Sequence, residues 1–129
     1  MSGLIGLTPV VRLRVENLLL GKRYPQSGWA EAVIDTGYQG FVAVPRGAFA
    51  SLSIPRPWTS ERSVRLADGS VLRSEMGPGT ATVDSEAEVD GPIETLPGLA
   101  EVLVGTQFLS RFRLELDYCL RSAVLARCG

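Results

Sequence analysis

The chain contains no histidine. That absence excludes Ser-His and Cys-His nucleophilic catalysis and the common metal sites built on imidazole. Cysteine is scarce: Cys119 and Cys128 are the two in 129 residues. Two thiols cannot close a zinc site alone, and a pair like this reads as ordinary free thiols in a reducing compartment. Neither metal nor cofactor is expected. There is no excess of one charge, since 13 basic and 14 acidic side chains leave a net charge of -1. That balance gives no electrostatic reason to expect nucleic acid or an anionic membrane as a partner. No apolar run is long enough to span a bilayer, and no charged stretch leads into an apolar leader, so the expected location is cytoplasmic. Repeats, charge blocks and low-complexity tracts are missing as well.

What is present suits a soluble globular protein: 45% hydrophobic and 21% charged residues, in a length that fits one domain with a moderate core. Val10 to Val15 alternates as a strand with one wet face. Trp29 to Ile34 is a second strand, antiparallel to the first, and Phe41 to Val44 a third that stops at Pro45. Pro45 opens a short helix over Arg46 to Leu52, with Phe49 and Leu52 on its inner face. Ile54-Pro55-Arg56-Pro57 reads as extended loop. Ser63 to Arg73 is a hairpin turning at Ala67-Asp68-Gly69-Ser70, where the Asp-Gly pair favours a tight turn. Met76-Gly77-Pro78-Gly79 reads as a break, followed by strands at Thr80–Val83 and Ala87–Val89. Asp84, Glu86, Glu88 and Asp90 form a solvated acidic face without the spacing of a calcium loop. Leu99 to Val104 is a strand, Gly105 its bend, and Thr106 the cap of a helix over Gln107 to Phe112. Strands over Arg113–Tyr118 and Ala123–Ala126 close the chain. Trp29 and Trp58 read as core or interface residues. The pattern is mostly β and barrel-like.

The chain is organised around Val33-Ile34-Asp35-Thr36-Gly37-Tyr38-Gln39-Gly40-Phe41-Val42. An apolar strand ends in an acid, and a second apolar strand follows. Gly37 and Gly40 are expected to let the backbone bend sharply beside Asp35. A carboxylate at the tip of a buried strand is costly unless it is used or paired. Taken alone, Asp35 is either a catalytic acid or a turn residue accepting backbone N–H bonds.

Val33-Ile34-Asp35-Thr36-Gly37 resembles the catalytic loop of the aspartic proteases. Val102-Leu103-Val104-Gly105 with the helix after it is similar to the second signature of the retropepsin-like half-fold. The Asp68-Gly69 hairpin lies between them, where that family carries its flap. The likeness runs from about Val10 to Leu125 and is greatest to small prokaryotic members of the clan. It implies a retropepsin-like closed β-barrel with one or two short helices, residues 1–129 forming a single aspartic protease domain. It implies catalytic Asp35, Thr36 and Gly37, with Thr36 bonding across a dimer interface and Gly37 offering room and an N–H to substrate. It implies a substrate-binding set of Tyr38, Ala67, Asp68 and Gly69, and a polypeptide substrate. Because the chain supplies one such acid, the activity requires a homodimer in which two Asp35 carboxylates meet. Tyr38 departs from the family, which usually has a small residue there; its phenol either hydrogen-bonds or fills the cleft. The alternative function is a retropepsin-fold binding or assembly module without turnover, and a third is a purely structural β-barrel.

Overall fold

Val11, Leu13 and Val15 share one face of β2 (Thr8–Asn17), and all three are buried. This is the period-2 pattern of a strand with one face on a core. β2 is the hub of the sheet. The computed structural model describes residues 2–65, 68–83 and 87–128. Around β2 run β1 (Ser2–Ile5), β3 (Lys22–Tyr24), β4 (Ala30–Ile34), β5 (Val42–Val44), β6 (Ser60–Arg65), β7 (Val71–Val83), β8 (Ala87–Thr95) and β9 (Val102–Val104). A separate hairpin follows, β10 (Phe112–Asp117) and β11 (Ser122–Arg127). The two helices are α1 (Arg46–Ser51) and α2 (Thr106–Leu109). The chain is mostly β, as the sequence implies.

The strand pairings close a ring. β2 pairs β4, β4 pairs β9 in parallel, and β9 pairs β5. β5 then pairs β8 in parallel, β8 pairs β7, and β7 returns to β2. A closed ring leaves no free edge within it. Its inside is apolar, with Leu13, Val44, Ile93, Val104 and Phe108 all essentially without exposure. Phe108 anchors α2 there, meeting Phe41 edge-on at 5.5 Å and Phe112 at 4.9 Å between ring centroids. β4, β5 and β9 are short and buried, and they carry the Asp35 loop at their ends.

Several expected boundaries change. Met76-Gly77-Pro78-Gly79 is no break, because β7 runs through it for 13 residues. Pro78 stands opposite Pro92, which is possible where the pair exchanges no hydrogen bond. On its other side β7 has left β6 at Met76 and reaches β2 only at Thr80, so the missing Pro78 N–H has no ladder to serve. Gly77 and Gly79 are there for closeness: a Cβ would meet Ile54 at 2.7 Å and Ile93 at 2.5 Å. Thr106 is not the helix cap. Gly105 takes that position, and Thr106 is the first helical residue of a helix shorter than expected. Arg56–Trp58 forms one 3-10 turn in the stretch expected to be extended. The strand expected from Leu99 begins at Val102. The apolar start of the chain, without clear period, is β1, antiparallel to β2.

Trp58 is half exposed, so it is not a core residue, while Trp29 lies with the Arg14 guanidinium 4.9 Å from its ring centre. Cys119 and Cys128 are free and exposed. They sit at opposite ends of the β10–β11 hairpin, roughly 16 Å apart at a strand's rise per residue, which is too far for a disulfide between them. Among the described residues no helix is long and apolar enough to cross a membrane.

Candidate functional site

Asp35 follows directly on the buried strand β4. Its N–H donates to the Val104 carbonyl at 3.0 Å, which continues the parallel β4–β9 ladder by one step. The loop then turns tightly: the Tyr38 N–H donates to the Asp35 carbonyl at 3.1 Å. The Gly37 N–H donates to Asp35 Oδ1 at 2.9 Å. That amide, expected to face substrate, instead orients the carboxylate within the chain. The side chain of Asp35 is half-buried, and Thr36 and Gly37 are exposed.

The far half of the loop is fastened to α2. The Gly105, Thr106 and Gln107 amides donate to the carbonyls of Phe41, Tyr38 and Gly40 at 2.9, 2.9 and 3.1 Å. The unpaired N–H groups of a helix start thus serve the loop. This contact requires glycine at 105, because a Cβ there would stand 2.6 Å from the Tyr38 carbonyl oxygen. At position 40 a Cβ would strike the Tyr38 phenol. The chain does turn at Gly37 and bend at Gly40, as expected, but neither has a left-handed φ, and at 40 the demand is for space.

Tyr38 points into the chain. It is 8% exposed, packed on Gly40 and Gly105, and its hydroxyl donates to Glu94 Oε1. Glu94, on β8, is 1% exposed. Its carboxylate also accepts from Ser74 Oγ, from Arg62 Nε at 2.7 Å and from Arg62 Nη2 at 2.8 Å. Arg62 and Ser74 are cross-strand partners on β6 and β7, so one carboxylate joins the Asp35 loop to the base of the hairpin. Burial pushes the Glu94 carboxyl up, but the hydrogen bonds from Arg62, Ser74 and Tyr38 and the Arg62 charge outweigh it, and the result is a lowered pKa. Burial, then the bond to Glu94, pushes the Tyr38 phenol well above its ordinary range.

Sequence reasoning missed this network. Glu94 lies 32 positions from Arg62 and 56 from Tyr38, and the only local signal is an acid between Ile93 and Thr95 at the buried end of β8.

At the hairpin's other end, Asp68 Oδ1 accepts from the Ser70 N–H at 2.9 Å and the Ser70 hydroxyl at 2.6 Å, and Gly69 has φ of 87°. These bonds hold the Asp68 carboxyl below the ordinary range. Among the described residues, the bonds of Asp68 run within the turn and not to the Asp35 loop. Ala67 lies outside the described residues. The structure thus brings Asp35, Thr36, Gly37 and Tyr38 together and leaves Asp68 and Gly69 at the exposed tip of the hairpin. A hollow of about 630 Å³ opens elsewhere, between Leu18, Leu19, Ile54, Trp58, Pro78 and Pro92, and no residue of the Asp35 loop lines it. Among the described residues no cluster of three or more acids and cysteines is placed to hold a metal.

The exposed apolar side chains lie in more than one place: Leu18, Leu19 and Trp58 stand around that hollow, and others lie at the Asp35 end. β2 pairs β4 at Val10 and Val33, so Thr8 stands level with Asp35. Beside it are Ile5 and Leu7, the latter 71% exposed. The Arg121 guanidinium donates to the Gly6 carbonyl at 2.8 Å and brings the β10–β11 turn alongside, with Leu120 76% exposed and Tyr118 half exposed. Exposed apolar side chains on neighbouring segments are the kind of surface that can take a partner.

No protein-family model matches the chain. The crystal structure of a retropepsin-like aspartic protease from Rickettsia conorii superposes with a TM-score of 0.61, over 97% of this chain and 86% of that one, at 15% identity. At that identity the likeness speaks for the fold, which is retropepsin-like. An uncharacterized protein of Archaeoglobus fulgidus is 37% identical over 123 residues, spanning 94% of this chain and 95% of the archaeal one. With that identity over nearly the whole of both chains, this protein belongs to the same family as the Archaeoglobus fulgidus protein, and it carries the retropepsin-like fold.

Proposed function

We propose that residues 1–129 form an aspartic endopeptidase domain that works as a homodimer and cleaves polypeptides in the cytoplasm. One observation carries this reading: half-buried Asp35 and exposed Thr36 and Gly37 stand on a loop bonded to Val104 of β9 and to the start of α2, and the bulky Tyr38 is turned away to Glu94. The bulky side chain at position 38 is taken up within the chain and not at the loop's exposed surface. The apolar patch of Leu7, Leu120 and Tyr118 at the same end suits a second copy.

Across the two-fold axis, two Asp35 carboxylates share one proton, since like charges this close do not both ionise. The pair titrates as a unit. The ionised carboxylate takes a proton from a water, whose oxygen attacks the scissile carbonyl carbon. The protonated one donates to the carbonyl oxygen. The tetrahedral species collapses as the C–N bond breaks and the amine leaves with a proton. Thr36 bonds to its counterpart beneath the pair, and Ala67, Asp68 and Gly69 close over an extended peptide. The two exposed free thiols fit a reducing compartment.

The test is cleavage of an unfolded polypeptide by the purified protein. Products should appear, a statine-type inhibitor should stop them, and Asp35→Asn should reduce turnover by at least about a thousandfold with an unchanged melting temperature, as for loss of a group acting in the chemical step. Cleavage persisting in Asp35→Asn would end the proposal. Binding of the polypeptide by the wild type without products would favour the binding-module alternative.

A further inference from the structure

We infer that Glu94 is a positioning residue for the Asp35 loop, acting through Tyr38 and fastening that loop to the base of the β6–β7 hairpin. Between Asp35 and Phe41 the loop has one buried side-chain anchor. Thr36, Gly37 and Gln39 are exposed, and Gly40 has no side chain to bury. Tyr38 is that anchor, and its hydroxyl ends on a carboxylate with 1% exposure. The Tyr38 backbone connects the anchor to the chemistry: its N–H donates to the Asp35 carbonyl and its carbonyl accepts from Thr106. Moving the phenol therefore moves the turn that aims the Asp35 carboxylate.

The other half of the network explains why the anchor is an acid. A hydrophobic contact fixes a ring loosely in direction, whereas a carboxylate with donors on both oxygens has one position and one orientation. Arg62 approaches with both Nε and Nη2, and Ser74 binds Oε2 from the neighbouring strand. Glu94 is thus held from the two strands that carry the flap turn. A shift at the hairpin base displaces Glu94, and Glu94 displaces Tyr38. The loop and the hairpin then keep a fixed relation while the tip at Asp68 and Gly69 remains free of the loop.

The loop part of this inference stands by itself; its effect on turnover rests on the peptidase reading. The experiment uses isotopically labelled protein with Tyr38→Phe, Glu94→Gln and the double variant. In the wild type the backbone order parameters of Gly37, Tyr38 and Gln39 should match those of Ala32 and Val44, at about 0.85. In either single variant those of the loop should fall toward about 0.6 while Ala32 and Val44 stay unchanged. The carboxyl carbon resonance of Asp35 should move in each single variant and move no further in the double one, as expected when two residues act in series. On a polypeptide substrate, kcat should fall about tenfold in Tyr38→Phe with KM unchanged. Loop order parameters that stay with Ala32 and Val44, or an unmoved Asp35 resonance, would overturn the inference. So would a double variant that moves the resonance by the sum of the two singles. If the wild type cleaves nothing, the peptidase reading fails and the order parameters and resonance still decide the role of Glu94.

Discussion

Glu94 has almost no contact with water, yet its pKa is lowered, so it is charged at neutral pH. Burial opposes the charge; Arg62, Ser74 and Tyr38 together overcome it. A carboxyl whose folded pKa lies below its unfolded value contributes stability above that unfolded value, near 4.5 here. The contribution disappears as pH falls through the lowered folded pKa. Acid unfolding curves of the wild type should therefore show a loss below about pH 4.5 that Glu94→Gln lacks. At neutral pH the same variant should be less stable by roughly 2–3 kcal/mol in urea titrations. That is below the cost of breaking a fully buried pair, because the Arg62 side chain is 37% exposed and water compensates part of its lost partner. This residue also marks a limit of legibility. Asp35 announces itself by its neighbours in the chain, an apolar strand before it and glycines after it. Glu94 acquires its meaning from Arg62, Ser74 and Tyr38, all remote in sequence.

At the level of elements, the Asp35 loop and α2 are one unit, because successive amides of the helix start end on successive parts of the loop. Gly105→Ala is expected to destabilise the protein by about 1–3 kcal/mol, the range for overpacking a tight contact. It should also shift the amide resonances of Tyr38 and Phe41 more than those of the β10–β11 hairpin. A lowered melting temperature with the loop resonances unmoved would show that the strain is absorbed elsewhere. Strand positions along the chain were readable from apolar runs, alternation and turn residues: β2, β4, β5 and the β6–β7 hairpin stand where Val11, Val33, Val42 and Asp68-Gly69 suggest, whereas their order in the sheet was not. The exceptions have a common cause. Gly77, Pro78 and Gly79 look like punctuation because local preferences disfavour a strand. Tertiary demands reverse that: Ile54 and Ile93 leave no room for a Cβ, and the proline lies where the ladder asks for no N–H. Likewise Thr106 is a good cap by type, but Gly105 occupies the cap because only glycine fits against Tyr38.

For the whole molecule, the ring of strands accounts for a rigid frame, and the exposed apolar side chains beside Asp35 are where the proposed homodimer is expected to form. Ile5, Leu7, Tyr118 and Leu120 are exposed on the end where the loop is exposed. Replacing Leu7 and Leu120 together by Arg should convert a dimer into a monomer in sedimentation or scattering measurements. The melting transition of the monomer should change by less than about 1 kcal/mol, since surface substitutions rarely cost more. Peptide cleavage should be lost with the dimer. A dimer that survives both changes would place the interface on another face.

The terminal strands have a consequence for how such an assembly behaves. β1 is already paired with β2, and β11 with β10, within the same chain. Among the described residues, neither terminal strand is left without a partner in its own chain, so the proposed homodimer would need no exchange of these strands. In the proposed homodimer, association would then rest on side-chain contact, and partners are expected to exchange in a mixed population. Copies disabled at Asp35 would capture intact ones and silence them in proportion to their share.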